Sequence, residues 1–119
     1  MPIISISTSA SVSDESAKAV SVSVVKSVAE ILQKPPGSIM FSIHANKNMS
    51  LGLDSHAAVA FVEVIKIAEL TQKQKEDITR SIFESLASLL GVAGECTYLN
   101  FLNVSRNDWS WNSKVLASG

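Results

Sequence analysis

The sequence has very little of several features on which whole classes of protein depend. It contains one cysteine, Cys96, which excludes an intramolecular disulfide and a CxxC redox pair and is compatible with a reducing compartment. No apolar run approaches the roughly 20 residues that a membrane-spanning helix needs. The N-terminus also lacks the basic stretch and apolar segment of a secretory signal. These absences predict a cytoplasmic protein with no membrane partner, and they leave leaderless secretion open.

Neither sign of charge predominates. Ten basic residues face eleven acidic ones, and no basic run is interleaved with aromatic residues, so we expect no nucleic-acid partner. The 119 residues fit one domain, residues 1–119, which is long enough to bury a real core. Apolar residues make up 46% of the chain, more than the surface of a monomer requires, so we expect some apolar surface to face a partner subunit.

The first half of the chain has the pattern strand, helix, strand. Residues 2–8 (PIISIST) are β-branched and loosely alternating, which predicts a strand. Residues 14–33 fit both an alternating strand and a helical face. Ser13 followed by two carboxylates is a typical helix start, and the stretch is too long for an ordinary strand. We therefore predict a helix from about 14 to 33, ended by the double proline that follows, and a second strand over 38–45.

The second half repeats this order. A polar, glycine-containing connection at 46–55 leads to residues 57–67 (AAVAFVEVIKI), whose apolar start is typical of a covered central strand. A helix is predicted at 70–91. Further strands are predicted at 97–104 and, as a short final one, at 109–116.

The helix at 70–91 has the clearest ends in the chain. Thr71 and Gln74 make a capping box, and Gly91 stands where a helix stops. Its predicted buried stripe consists of Ile78, Ile82, Leu86, Leu89 and Leu90.

Two consecutive βαβ units predict an α/β fold of the two-layer, α+β sandwich kind. Sequential parallel strands with right-handed crossovers put both helices on one face of a four-stranded sheet. The other face, still rich in Val, Ile and Phe, also needs a cover, and the sequence offers no further helix. We expect other copies of the chain to cover it.

Pro2, directly behind the start methionine, has a chemical interpretation. Removal of Met1 would leave a secondary amine at the start of a buried strand, and such an amine could act as a base. The alternative is an ordinary proline at the start of a strand.

Five landmarks in order, MPIISIST, KPPGSIM, MSLG, TYLNF and WSWN, resemble those of the macrophage migration inhibitory factor family within the tautomerase superfamily. The resemblance runs over nearly the whole chain. It implies a homotrimer built on four-stranded mixed sheets, with active sites at the subunit interfaces. It also implies keto-enol tautomerisation of small aromatic 2-keto acids or dopachrome, with the terminal proline as base and no cofactor.

By this resemblance Pro2 is the catalytic residue, and Lys34 in QKPPG holds the substrate carboxylate. Burial and a nearby cation both lower the pKa of an amine, which suits a base that works near neutral pH. Taken by itself, Lys34 could be a solvated residue after a helix.

The other substrate-binding residues are also carried over from the resemblance. Tyr98 and Asn100 are two apart and leave one face of a strand, where they would meet the substrate of the adjacent subunit. Ile67 would add a backbone N–H and an apolar wall. Trp111 and Trp109 would line the mouth of the pocket, although both could instead pack in the trimer.

The match departs from the family at several positions. The loop LGLDSHAA differs in sequence and length, the family's cysteine pair is missing, and a small glycine of the family is Ala68 here, followed by Glu69. Substrate preference is therefore open. The two histidines, His44 and His56, have no second ligand at a recognised spacing, so we predict no metal site.

Two other functions stay open. The protein could be a cytokine-like interaction protein with a vestigial tautomerase site, which uses its outer surface to bind a receptor partner. It could also decarboxylate or dehalogenate a small acid, with the proline acting in its protonated form.

Overall fold

The computed structural model describes residues 1–53 and 56–116, which form two βαβ units followed by a small hairpin. The order confirms the predicted duplication of strand, helix and strand. The elements are β1 (Ile3–Thr8), α1 (Asp14–Leu32), β2 (Met40–Ala45), β3 (Ala60–Ile67), α2 (Gln72–Leu90), β4 (Thr97–Val104), β5 (Ser110–Trp111) and β6 (Lys114–Val115).

Both helices begin at reciprocal side-chain caps. In α1 the Ser13 hydroxyl accepts from the Ser16 N–H, and the Ser16 hydroxyl accepts from the Ser13 N–H. In α2 the predicted pair of Thr71 and Gln74 makes the same exchange. These caps satisfy N–H groups that have no partner within the helix. Neither helix of the described residues is long and apolar enough to cross a membrane.

Both helices end at a residue in the left-handed region. Gly91 has φ 70° after α2, as predicted. After α1 the left-handed residue is Gln33, with φ 54°, and its N–H donates to the carbonyls of Ala29 and Glu30. This turn ends α1 two residues before Pro35, so the backbone has already left the helix when the prolines begin.

The strands of the two units join into one mixed sheet. Within the described residues its order is β2-β1-β3-β4. The strands within each unit are parallel, whereas β1 and β3, which join the two units, are antiparallel, with Ile3 opposite Ile65. This confirms the predicted four-stranded mixed sheet.

The core lies between the sheet and the helix layer. In β1 and β3 every second residue is fully buried, including Ile4, Ile6, Val62 and Val64. The helices supply Val20, Val24 and Val28 from α1 and Ile78, Ile82 and Leu86 from α2. The prediction that Leu89 is buried is wrong, because its side chain is 40% exposed. The buried row advances four residues at each step from Ile78, so it continues to Leu90, which packs against the core.

The predicted third strand began too early. The strand starts at Ala60; Val59 before it is held by a backbone hydrogen bond from the Ser9 N–H and by two side chains. The Val59 carbonyl accepts from the Thr8 hydroxyl at 2.7 Å, and the Val59 N–H donates to the Ser9 hydroxyl at 2.9 Å. Asp54 and Ser55 of the predicted connection lie outside the described residues.

The predicted second and final strands also differ from the observed ones. Residues 36–38 form a 3₁₀ turn, so β2 begins at Met40. The final segment is a hairpin of two short strands, because Asn112 and Ser113, with φ 52° and 65°, turn the chain back between β5 and β6.

The face of the sheet opposite the helices is largely half-buried or exposed in the described chain. By alternation, this face presents Ser5, Ser7, Phe61, Glu63, Tyr98 and Asn100 among others. Of the predicted Val, Ile and Phe, the face also carries Ile3 and Ile65, whereas Val62 and Val64 of β3 point toward the helices. Phe61 and Tyr98 are 38% and 66% exposed.

Ala68, directly after β3, has φ 70° and therefore a left-handed backbone that disfavours a side chain. We expect Ala68→Gly to raise the free energy of unfolding by about 0.5–1 kcal/mol, since relief of strain exceeds the added flexibility of the unfolded chain. Urea unfolding measures the difference. As a control, Ala87→Gly on the exposed side of α2 should lower stability by about 1 kcal/mol. Equal destabilisation by both substitutions would contradict strain at Ala68.

Candidate active site

A cleft of about 870 Å³ opens at the N-terminal end of β1. Its walls come from three separated parts of the chain: the N-terminus, the connection between α1 and β2, and the segment that leads into β5. Residues on these walls include Pro2, Pro35, Met40, Asp108, Trp109 and Trp111. The lining is mainly apolar and aromatic, which is typical of a site for a small organic molecule.

Pro2 is buried at this end of the sheet, between β2 and β3. Its carbonyl accepts from the Met40 N–H at 3.1 Å, which continues the pairing of β1 with β2. On the other side, the last antiparallel pair of β1 with β3 is Ile3 with Ile65, and extending the same register by one residue sets Pro2 opposite Lys66. The start of the chain is therefore buried and held against β2 by its own backbone.

The two tryptophans enter the cleft from the segment after β4. A short 3₁₀ turn at Arg106–Asp108 begins with the Ser105 hydroxyl accepting from the Asn107 N–H. Trp109 follows, and its carbonyl accepts from the Leu116 N–H at 2.8 Å, which closes the hairpin. Trp109 is half-buried, whereas Trp111 is 60% exposed at the mouth of the cleft.

The terminal amine at this cleft is electrostatically disfavoured in its charged form. With Met1 in place, burial lowers the pKa of the Met1 amine below its ordinary value of 8.0, and the positive charges of Lys66 and then Lys34 lower it further. Removal of Met1 would move the amine one residue inward, to the buried Pro2.

Lys66 is a charged residue of this region that sequence reasoning missed. It lies near the end of β3, its ammonium donates to the Ile67 carbonyl at 3.0 Å, and burial and then the charge of Lys34 lower its pKa. One signal was present in the sequence: two-residue alternation puts Lys66 on the face of Val62 and Val64, which is the core side. A charged side chain on the core side of a strand is unusual and could have singled out Lys66. Its place opposite Pro2, however, follows only from the register of β1 with β3.

The structure brings some of the predicted site residues together within one chain. Pro2, Trp109 and Trp111 share the cleft. Lys34 is exposed just after α1 and acts on the terminal amine through its charge. Ile67 is buried at the end of β3 and lies outside the cleft lining.

Tyr98 and Asn100 lie far from Pro2 in the same chain. Asn103 is the residue of β4 level with Lys66, so Tyr98 is five residues away along the strand, or roughly 16 Å. Both side chains are exposed on the face of the sheet without helices. One chain by itself therefore does not unite them with Pro2.

The histidines are not arranged for a metal ion. His44 Nε2 lies 3.2 Å from the Ser42 hydroxyl on the exposed face of β2. Among the residues that the structure describes, no three side chains of His, Cys, Asp or Glu cluster as a metal site would require.

A model of the macrophage migration inhibitory factor family matches residues 1–117. The chain belongs to the macrophage migration inhibitory factor family. This confirms the family predicted from the five landmarks. The cleft at Pro2 is therefore the candidate active site of a member of this family.

Individual relatives agree with this assignment. A macrophage migration inhibitory factor homolog of Trichinella spiralis is 27% identical over 112 residues, which cover 94% of this chain and 96% of that relative. Among solved structures, macrophage migration inhibitory factor of Toxoplasma gondii superimposes with a TM-score of 0.87 at 23% identity, covering 94% of this chain and 97% of the other. The homologue from Prochlorococcus marinus gives 0.88 at 22% identity, covering 97% and 99%. At these identities the structures show a shared fold.

The lowered pKa of the terminal amine predicts a pH dependence of stability. Between the lowered pKa and 8.0, the unfolded chain binds the proton more than the folded chain does, so stability of the protein that retains Met1 should rise as pH increases through this window. Urea unfolding between pH 6 and 9 measures the slope. The same protein acetylated at its N-terminus is the control and should lose this part of the slope. Identical slopes for both forms would contradict the shift.

Proposed function

We propose that the protein is a keto-enol tautomerase of small aromatic 2-keto acids, with Pro2 as general base after removal of Met1. The observation that carries this proposal is the burial of Pro2 at the start of β1, in an apolar cleft, where burial and the charges of Lys66 and Lys34 lower the pKa of the preceding Met1 amine. A base is most effective when its pKa lies near the working pH.

The reaction is a 1,3 proton shift that leaves the composition of the substrate unchanged. The neutral Pro2 nitrogen takes a proton from the carbon beside the ketone, and the electrons of that C–H bond move to form the enolate. The positive field of Lys34 stabilises the developing negative charge. The proline ammonium then returns the proton to the enolate oxygen. Trp109 and Trp111 provide apolar surface for the aromatic ring.

The complete site needs a second subunit. Tyr98 and Asn100 project from a sheet face that the described part of this chain leaves uncovered, far from their own Pro2. In a homotrimer of the family type this face would lie against neighbouring copies, and the two side chains would reach the cleft of the adjacent subunit. Asn100 would then meet the substrate carboxylate, and Tyr98 the ring or the reacting carbonyl. Ile67 would contribute its backbone N–H.

The direction of the amine pKa favours a base over an acid. A decarboxylase or dehalogenase that uses a protonated proline needs a raised pKa, whereas burial and both lysines lower the pKa of the Met1 amine at the same place. This supports proton abstraction over the alternative chemistry of the superfamily.

Pro2→Gly tests the base directly. The substitution keeps a terminal amine but removes the ring and its secondary nitrogen, so kcat/KM for ketonisation of an aryl pyruvate enol should fall by about 10²–10⁴-fold. A preparation that retains Met1 should be similarly inactive, because its Pro2 nitrogen is an amide. Intact mass establishes which form is assayed. Full activity of Pro2→Gly would reject the assigned base.

Mixed oligomers test the shared site. Each of the variants Pro2→Gly and Asn100→Ala should be inactive alone. When equal amounts are refolded together, activity should return to at most about a quarter of the wild-type value. The reason is that one interface in four then combines an intact Pro2 with an intact Asn100. Pro2→Gly mixed with Lys34→Ala is the matched control. Both residues of that pair would come from the same chain, so no intact site can form. Recovery in both mixtures, or in neither, would contradict a site built from two subunits.

A further inference from the structure

Two lysines, Lys34 and Lys66, act through their charge on the amine at the start of β1, and neither has a carboxylate partner among the described residues. Within residues 1–53 and 56–116, the ion pairs are those of Asp77 with Lys73 and Arg80 on the outside of α2. Lys34 arrives from the end of α1, in the helix layer, and Lys66 from the end of β3, in the sheet. Each lies close enough to the terminal amine for its charge to act on it.

The register of the sheet brings Lys66 to Pro2. Residues directly opposite each other in an antiparallel pair have side chains on the same face, with Cβ atoms about 5 Å apart. Continuation of the pairing from Ile3 and Ile65 makes Pro2 and Lys66 such a pair, on the side of the sheet toward the helices. Unlike Lys34, which is exposed, Lys66 is partly buried, and its ammonium is held by the Ile67 carbonyl.

The carboxylates near Lys34 and Lys66 do not neutralise the positive charge of these two lysines. Lys66 lines a separate small cavity of about 170 Å³, together with Glu69 from the connection before α2 and Lys75 from the first turns of α2. Asp108 lines the main cleft on the side of the tryptophans. Neither carboxylate forms an ion pair with Lys66 in the described residues, so the repulsion between Lys34 and Lys66 is uncompensated until an anion binds.

We propose that Lys66 is a second anion-binding residue of the active site, which together with Lys34 holds the carboxylate of a 2-oxo acid beside Pro2. The 2-oxo acid identity rests on the proposed function; anion binding by Lys66 rests on the geometry alone. A carboxylate has two oxygens and can accept from one lysine at each. With the carboxylate held at the two lysines, the ketone and its neighbouring carbon lie toward Pro2 and the ring toward Trp109 and Trp111.

Binding of an unreactive carboxylate tests this without turnover. The chain's tryptophans are Trp109 and Trp111, and both line the cleft, so their fluorescence reports occupancy. In Met1-free protein carrying Pro2→Gly, we expect Lys66→Met to weaken phenylacetate binding by about tenfold, as for loss of one charge-assisted hydrogen bond, and Lys66→Arg to restore most of it. Lys26→Met, an exposed lysine of α1, should bind phenylacetate unchanged.

Neutral phenylacetamide separates a charge effect from a structural one. Its affinity should be the same with Lys66 and with Lys66→Met. Equal weakening of both ligands by Lys66→Met would overturn the proposal, and so would undiminished phenylacetate binding. If wild-type protein shows no isomerisation of any aryl pyruvate while Lys66→Met still loses anion binding, the proposed function fails and Lys66 remains an anion-binding residue.

In an active enzyme the same lysine should also move the pH profile. Lys34, Lys66 and Asp108 are the charged groups around Pro2, and loss of the Lys66 cation raises the pKa of the proline amine. The rising limb of kcat/KM should therefore shift to higher pH in Lys66→Met and stay in place in Lys26→Met. An unchanged limb in Lys66→Met would contradict its position at the amine.

Discussion

The antiparallel pairing of β1 with β3 is the contact on which the site depends. It joins the strands of two βαβ units whose helices also pack against each other, and its register sets Ile3 opposite Ile65. A slip by one residue would turn Val62 and Val64 from the core to the open face, so the buried valines hold the register in place. The same register carries Pro2 to Lys66. Core packing and the composition of the site are therefore set by one ladder.

The environment of the terminal amine combines two physical effects of the same sign. Burial removes water from the charged form, and two lysines repel it. An apolar cleft with unpaired cations at one end is unfavourable when empty but complementary to an anion that carries a ring. An aromatic 2-keto acid is an anion of this kind, which is why the amine, the lysines and the tryptophans support a single proposal.

Helix ends were predictable because their determinants are local. Thr71, Gln74 and Gly91 act within one turn of the helix that they cap, and the structure has them in those roles. The start of β3 was not predictable in this way. It depends on hydrogen bonds of Thr8 and Ser9 to Val59, about fifty residues away, and no local pattern of apolar residues reports them.

The sequence by itself determined the family, the duplicated units and the candidates Pro2, Lys34, Trp109 and Trp111, since these stand in recognisable local motifs. Only the tertiary structure decided that Lys66 lies at Pro2 and that Tyr98 and Asn100 lie far from it in the same chain. The physical reason is that strand register is a relation between distant residues, fixed by packing of the whole sheet against the helices.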